Sequence, residues 1–281
     1  MPAADDLRDA LVARIHDTGF GAHGLHVRVD DDVAEHRWTP DVREEIHSVA
    51  KAVSVLAVGI AADEGVVSLD APIGAARERD LTLRRLLTMT SGIDFPWSPT
   101  LMTDWPDLAA EFLSRPSRGR VFQYSNASTY TAMHVLSQRV GDVEEYLRPR
   151  LFAPLGLEDV AWARCPIGRV LGGEGLSLRT EEMARLGLLL RDRGDWRGQR
   201  LVSAGIVDAM HAGWVDTGSV GDGYRRYALA GWDGPGAAWR LQGAYGQLIV
   251  FAGDAVVTIS ADDHAGADAI AAFVAEAATR R

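Results

Sequence analysis

The segment from Ser48 to Gly65 limits the fold more than any other part of the chain. Its apolar residues recur at helical spacing, at Val49, Val53, Leu56 and Ile60. Gly65 follows the last of them as a helix stop. The helix is apolar on most faces, and its continuous apolar run, 52–62, is far shorter than the roughly 20 residues that a membrane-spanning helix needs. We therefore predict a central helix surrounded by a large core.

Among the 29 lysine and arginine residues of the chain, Lys51 is the only lysine. A desolvated lysine can become a neutral base, whereas arginine cannot. In Ser48-Val49-Ala50-Lys51 the two reactive side chains lie one helical turn apart on the same face. Burial and the helix N-terminus both lower the pKa of such a lysine, so Lys51 could take the proton of Ser48 during attack on a carbonyl. The alternative for the motif is a serine helix cap followed by a solvent-facing lysine. The alternative for the single lysine is a codon bias with one chance survivor.

Alternating apolar and polar residues predict short strands near both ends of the chain. These strands are 25–29, 34–38, 227–232, 238–242, 247–251 and 256–260. Further helices are predicted from Thr180 to about 190 and over 265–279, whereas 81–165 is helical and broken by glycine and proline. We predict an α+β fold in which 1–80 and 166–281 form an α/β lobe, with a central antiparallel sheet flanked by helices, and 81–165 form a helical lobe.

The composition excludes several classes of function. A net charge of −10 does not suit a phosphate-binding surface, so we expect no nucleic-acid partner. The charged N-terminus lacks the pattern of a secretory signal, which predicts a cytoplasmic location and no membrane partner. Cys165 is the only cysteine and the histidines lack metal-ligand spacing, so we expect no metal and no cofactor. The predicted assembly is a monomer or a homodimer with a small-molecule substrate.

Residues 48–70, SVAKAVSVLAVGIAADEGVVSLD, closely resemble the first motif region of the serine β-lactamase and penicillin-binding-protein-like superfamily, which carries Ser-x-x-Lys. Further similarity follows in order at 81–92, 122–128, 151–157 and 172–187. The best likeness is to the branch of class C β-lactamases, esterases and 6-aminohexanoate-dimer hydrolases. The resemblance implies a β-lactamase/transpeptidase-like fold and a serine hydrolase that needs no cofactor.

Tyr124-Ser125-Asn126 resembles the Tyr-x-Asn element of the same superfamily. The resemblance implies that Tyr124 shuttles protons beside Ser48 and that Asn126 orients Lys51 and the substrate. A phenol hydrogen-bonded to a cationic lysine can lose its proton below its usual pKa near 10, and can then act as base and acid. From the residues alone, a buried tyrosine and a turn-forming asparagine remain the alternative.

The third motif of the superfamily, Lys-Thr-Gly or His-x-Gly on a strand, has its nearest equivalent at 241–243. Leu241 stands where the family often has a cation, so recognition of a substrate carboxylate becomes doubtful. The Gly-x-x-Gly-Gln form that begins at Gly243 resembles the esterase and oligoamide-hydrolase members. The backbone N–H groups of Ser48 and Ala244 could still form an oxyanion hole. A glycine-bearing edge strand is the alternative.

The sequence thus predicts an acyl-enzyme hydrolase, a carboxylesterase or amidase on small esters or amides. The catalytic residues predicted are Ser48, Lys51 and Tyr124, and those for substrate binding and the oxyanion are Asn126, Gly243 and Ala244. Two other functions stay open, an acyltransferase of the same fold in secondary metabolism and a non-catalytic binding protein that retains the fold.

Overall fold

The computed structural model describes residues 3–73, 80–95, 105–219 and 223–279. Nine α-helices are described in these ranges: α1 Ala4–Thr18, α2 Ala50–Asp63, α3 Leu83–Leu87, α4 Leu108–Ser114, α5 Asn126–Val140, α6 Val143–Leu147, α7 Thr180–Arg191, α8 Ala204–Asp208 and α9 Ala267–Thr279. A 3₁₀ turn, His47–Val49, precedes α2, and a π-helical turn, Arg148–Phe152, follows α6.

The strands within the described residues form three antiparallel sheets. The strands are β1 Ala22–Val29, β2 Asp32–Arg37, β3 Glu44–Glu45, β4 Ala161–Trp162, β5 Leu176–Leu178, β6 Asp195–Trp196, β7 Gln199–Arg200, β8 Val215–Asp216, β9 Arg226–Tyr227, β10 Trp232–Asp233, β11 Trp239–Gln242, β12 Leu248–Ala252 and β13 Ala255–Ala261. The main sheet has eight strands in the order β2-β1-β13-β12-β11-β10-β9-β8. The smaller sheets are β3-β5-β4 and the hairpin β6-β7.

The two ends of the chain meet in the main sheet, as the strand pattern predicted. Val27 of β1 pairs with Ala34 on one side and with Val257 of β13 on the other. The predicted strand at 227–232 is wrong in one respect, because it is two strands, β9 and β10. A tight turn separates them, in which Ala228 N–H donates to Gly231 O and Ala230 has a φ of 65°. This turn folds β10 back beside β9.

The two largest apolar clusters of the described residues lie against the main sheet. The smaller packs α1 and α9 on side chains of β1, β12 and β13, with Leu11, Val27 and Val274 fully buried. The larger contains α2, in which every residue from Ala50 to Ala61 is buried. The prediction of a central buried helix is therefore confirmed, although α2 proper begins two residues after Ser48.

The segment predicted as a helical lobe, 81–165, carries α3 to α6 and ends with the short strand β4. Within that segment, 96–104 lie outside the described residues. The division of the chain into two lobes stays a prediction. None of the helices over the described ranges combines the length and the apolar character that crossing a bilayer requires.

Candidate active site

The 3₁₀ turn before α2 presents the predicted nucleophile. His47 has a left-handed φ of 47°, an uncommon conformation for a residue other than glycine, and it turns the chain from β3 into the helix. Ser48 follows in the 3₁₀ turn and Lys51 lies in the first turn of α2, so their side chains share one face. Lys51 Nζ donates a hydrogen bond of 2.9 Å to Ser48 Oγ.

Lys51 is buried, with 2% of its surface exposed, and its amine is surrounded by acceptors. Besides Ser48 Oγ, it donates to Asn126 Oδ1 at 2.5 Å and to Gly173 O at 2.8 Å. Burial lowers the pKa of Lys51 from its usual 10.5 to about 7, and the carboxylate of Glu174 opposes this effect. The amine can therefore exchange a proton near neutral pH, as the sequence led us to expect.

Tyr124 lies over the same amine, with Lys51 Nζ 4.9 Å from the centre of its ring. Its own ring contacts Tyr227 edge to face and Trp232 at a tilt, with centroids 5.9 and 5.6 Å away. Burial raises the pKa of Tyr124 to about 12, although a side-chain hydrogen bond with Ser48 lowers it in part. The expected fall of this pKa is therefore wrong, because the effect of burial outweighs that of the hydrogen bond with Ser48.

Asn126, the first residue of α5, connects Lys51 to a carboxylate. Its Oδ1 accepts from Lys51, and its Nδ2 donates to Glu174 Oε2 at 2.8 Å. Burial raises the pKa of Glu174, and Lys51 lowers it. Glu174 was absent from the predicted site, although a glutamate flanked by glycines on both sides, in LGGEGL, is a signal that could have marked it.

Gly243 brings the end of β11 against the turn that carries the nucleophile. A Cβ at this position would lie 2.5 Å from Ile46 O and 3.1 Å from His47 Cβ, so only glycine fits. Within the described residues, neither Ser48 N–H nor Ala244 N–H donates to a backbone or side-chain acceptor. The two N–H groups that were predicted to bind the oxyanion therefore lie on adjoining segments and make no such hydrogen bond within the described residues.

The rest of the third-motif region shows how its side chains are used. Leu241 is buried in the larger core and supplies no charge there. The neighbouring cation, Arg240, is 1% exposed and donates to Gly234 O at 2.7 Å, so it is held within the sheet structure. Tyr245 is half exposed, with a left-handed φ of 58°, and its ring lies 5.0 Å from that of His47.

The site thus brings together Ser48, Lys51, Tyr124 and Asn126 through direct contacts, with Gly243 beside the nucleophile turn. Among the described residues, no group of three histidine, cysteine, aspartate or glutamate side chains is arranged to hold a metal ion. The chemistry that the contacts permit is proton transfer between a serine hydroxyl and a partly neutral amine, beside a protonated phenol.

Comparisons with known proteins identify the family and the fold of the chain. The family model described as Beta-lactamase matches residues 9–278. No match was found among curated protein sequences.

Solved structures resemble the chain over nearly its whole length. A Bacillus anthracis protein titled as a 6-aminohexanoate-dimer hydrolase has a TM-score of 0.79 at 18% identity, covering 95% of this chain and 81% of its own. A penicillin-binding-protein homologue from Caulobacter crescentus has a TM-score of 0.77 at 16% identity, covering 99% and 98%. A class C beta lactamase from Rhodobacter sphaeroides has a TM-score of 0.75 at 18% identity, covering 97% and 98%. At such identities the likeness shows the fold alone.

Proposed function

Because this chain belongs to the beta-lactamase family and has its β-lactamase/transpeptidase-like α+β fold, we propose that it is a serine hydrolase acting through an acyl-enzyme at Ser48. Its substrates in this proposal are small carboxylic esters or amides. The observation that carries the proposal is the hydrogen-bond set of Lys51. Once Lys51 has lost its proton, the two acceptors Asn126 Oδ1 and Gly173 O take the two remaining N–H bonds, and the lone pair of the neutral amine faces the hydroxyl of Ser48.

Acylation then proceeds by general base catalysis. Lys51 accepts the proton of Ser48 Oγ as the Oγ–carbon bond forms, and the N–H groups of Ser48 and Ala244 stabilise the oxyanion. The tetrahedral intermediate collapses when the bond to the leaving alcohol or amine breaks. Tyr124, a phenol with a pKa of about 12, donates the proton that the leaving group needs and regains one from the Lys51 ammonium.

Deacylation reverses these roles with water as the nucleophile. A water molecule attacks the acyl carbon and passes a proton to the Tyr124 and Lys51 pair. The second tetrahedral intermediate then breaks its bond to Ser48 Oγ, which takes the proton back. The acid leaves, and each side chain returns to its starting protonation state, so that no external oxidant, reductant or metal is consumed.

The surroundings of the site favour neutral substrates over acidic ones. Leu241 replaces the cation that would pair with a substrate carboxylate, and Glu174 adds negative charge near the amine. The similarity to a structure titled as a 6-aminohexanoate-dimer hydrolase supports amides beside esters. We therefore propose a carboxylesterase or amidase rather than a β-lactamase.

The test is labelling of the intact protein with a fluorophosphonate probe, together with hydrolysis of p-nitrophenyl acetate and butyrate. We expect a mass adduct on Ser48, and a loss of ester hydrolysis of roughly 10³-fold or more in both Ser48→Ala and Lys51→Arg. Arginine keeps the positive charge but cannot give up its proton. Ser54→Ala is the matched control, because Ser54 lies on the same helix with its hydroxyl bonded to Gly172 O, and it should keep its activity.

A well-folded wild type without adduct and without hydrolysis would contradict the proposal. That result would favour the binding protein that retains the fold. An adduct combined with product formation only when an alcohol or amine is added would instead favour the acyltransferase.

A further inference from the structure

The backbone at Glu174 and Gly175 is held by hydrogen bonds that do not involve the Glu174 carboxylate. Its carbonyl oxygen accepts from Trp162 Nε1 at 3.0 Å, and the next N–H, of Gly175, donates to Glu45 Oε1 at 2.8 Å. The side chain points to the catalytic residues instead, where Oε2 accepts from Asn126 Nδ2. The carboxylate is therefore free to serve the site without being needed to hold its own loop.

The contact with Glu174 determines which way round the Asn126 amide lies. A carboxylate only accepts hydrogen bonds, so the NH₂ group of Asn126 must face Glu174 and its oxygen must face Lys51. The reversed amide would direct N–H bonds at the amine of Lys51, which needs acceptors there. Loss of the carboxylate would remove the group that selects the productive orientation.

The charge of Glu174 also acts on Lys51 directly. In the described part of the chain, the ionisable groups around this amine are Tyr124, whose ring it faces, Glu174, which is linked to it through Asn126, and Glu45 and His47 beyond them. Among them Glu174 is the carboxylate that raises the pKa of Lys51 against the effect of burial. Glu45 in turn raises the pKa of Glu174, because the two negative charges repel each other.

We propose that Glu174 is a positioning residue of the reaction, which acts through the Asn126 amide and through its charge to hold the Lys51 amine in line with Ser48. The inference rests on the proposed function for its catalytic meaning. It also makes a structural claim about Lys51 that can be measured without any substrate.

The unique lysine makes a direct experiment possible. Incorporation of ε-¹³C-lysine gives an NMR signal from Lys51 alone, and its titration reports the pKa in wild type, Glu174→Gln and Glu174→Ala. Removal of the negative charge disfavours the ammonium, so both variants should lower the pKa by roughly one unit. Glu35→Gln is the matched control, because Glu35 is a carboxylate on β2 whose pKa is also raised by burial, and it should leave the signal unchanged.

Ester hydrolysis separates the two contributions of Glu174. Glutamine can still accept from Asn126 Nδ2, so Glu174→Gln should move the acidic limb of kcat/KM to lower pH and keep kcat on the plateau within about 3-fold. Alanine cannot accept, so Glu174→Ala should also lower kcat by roughly 10-fold or more with little change in KM. Thermal unfolding of both variants checks that the fold is kept.

An unchanged or raised pKa of Lys51 in both variants would overturn the inference, whether or not the protein hydrolyses esters. If the pKa of Lys51 is lowered in both variants but the wild type fails to label at Ser48, the effect of Glu174 on Lys51 is upheld and the proposed function fails. An equal kcat in Glu174→Gln and Glu174→Ala would overturn the role of the amide contact.

Discussion

At the scale of single residues, the site depends on an amine that is harder to charge in the folded protein than in water. The folded chain holds Lys51 with a pKa of about 7, whereas the unfolded chain should restore the usual 10.5. Between these values the unfolded state binds a proton that the folded state lacks. The free energy of unfolding therefore contains a contribution from Lys51 that rises with pH over this interval.

We expect Lys51→Met to remove this contribution. The difference in unfolding free energy, wild type minus Lys51→Met, should increase from pH 7 to pH 9.5 with a slope that approaches about 1.4 kcal/mol per pH unit, and it should be flat below pH 6. Urea denaturation of both proteins at several pH values measures it. Contributions from ionisable groups that Lys51 does not affect cancel in the difference, and the two groups whose pKa it lowers, Glu174 and His47, have ordinary pKa values below 7. A flat difference above pH 7 would therefore show that the folded state keeps Lys51 charged.

At the scale of elements, the contact between the end of β11 and the nucleophile turn brings together the two N–H groups that we propose as oxyanion donors. Gly243 lies against Ile46 O, and the N–H groups of Ser48 and Ala244 follow directly on the two segments. An added methyl group must push these segments apart, because the atom that it meets is a backbone oxygen. The oxyanion would then lose one of its two donors.

Gly243→Ala should therefore lower kcat by about 10²-fold, with a smaller effect on KM. Gly205→Ala is the matched control, since a Cβ there meets nothing within 4 Å and Gly205 lies in α8, away from the site. Steady-state kinetics with p-nitrophenyl butyrate measures both. Equal activity of the two variants would mean that Ala244 N–H takes no part in stabilising the oxyanion.

At the scale of the whole molecule, the carboxylate of Asp268 connects the C-terminal helix α9 to β11, the strand that precedes Gly243. Asp268 Oδ1 on α9 accepts from Gln242 Nε2 at 3.1 Å and from Tyr224 OH at 2.8 Å, and it lies 3.5 Å from Arg240 Nη2. The guanidinium of Arg240 is 1% exposed, so Asp268 is the carboxylate that balances a cation inside the fold. The C-terminal helix thus stabilises β11, the strand that leads into Gly243.

Asp268→Ala should reduce the free energy of unfolding by roughly 2–3 kcal/mol, because it leaves the buried charge of Arg240 without its carboxylate. Asp5→Ala provides the comparison, since Asp5 pairs with Arg8 on the exposed side of α1 and its loss should cost less than about 1 kcal/mol. Chemical denaturation of both variants gives the values. A similar small cost for the two would show that water, not Asp268, compensates Arg240.

The sequence by itself determined the features that depend on local spacing. The apolar repeat from Val49 to Ile60 predicts a helix that must be buried, and the three-residue spacing of Ser48 and Lys51 places both side chains on one face of it. The alternating strands at both ends predict a shared sheet, which β1 and β13 confirm. These features follow from the periods of helices and strands, which can be read from residues close together in the sequence.

Only the tertiary structure decided which distant groups surround the amine. The Tyr-x-Asn resemblance implied that Asn126, 75 positions from Lys51, orients the amine, but no sequence pattern indicated that the oxygen of Gly173, 122 positions away, also meets Nζ. The direction of the Tyr124 pKa was decided in the same way, because burial raises it, and two of the rings packed on Tyr124, those of Tyr227 and Trp232, lie more than 100 positions along the chain. Burial and long-range contacts set proton affinities, and both exist only after the chain has folded.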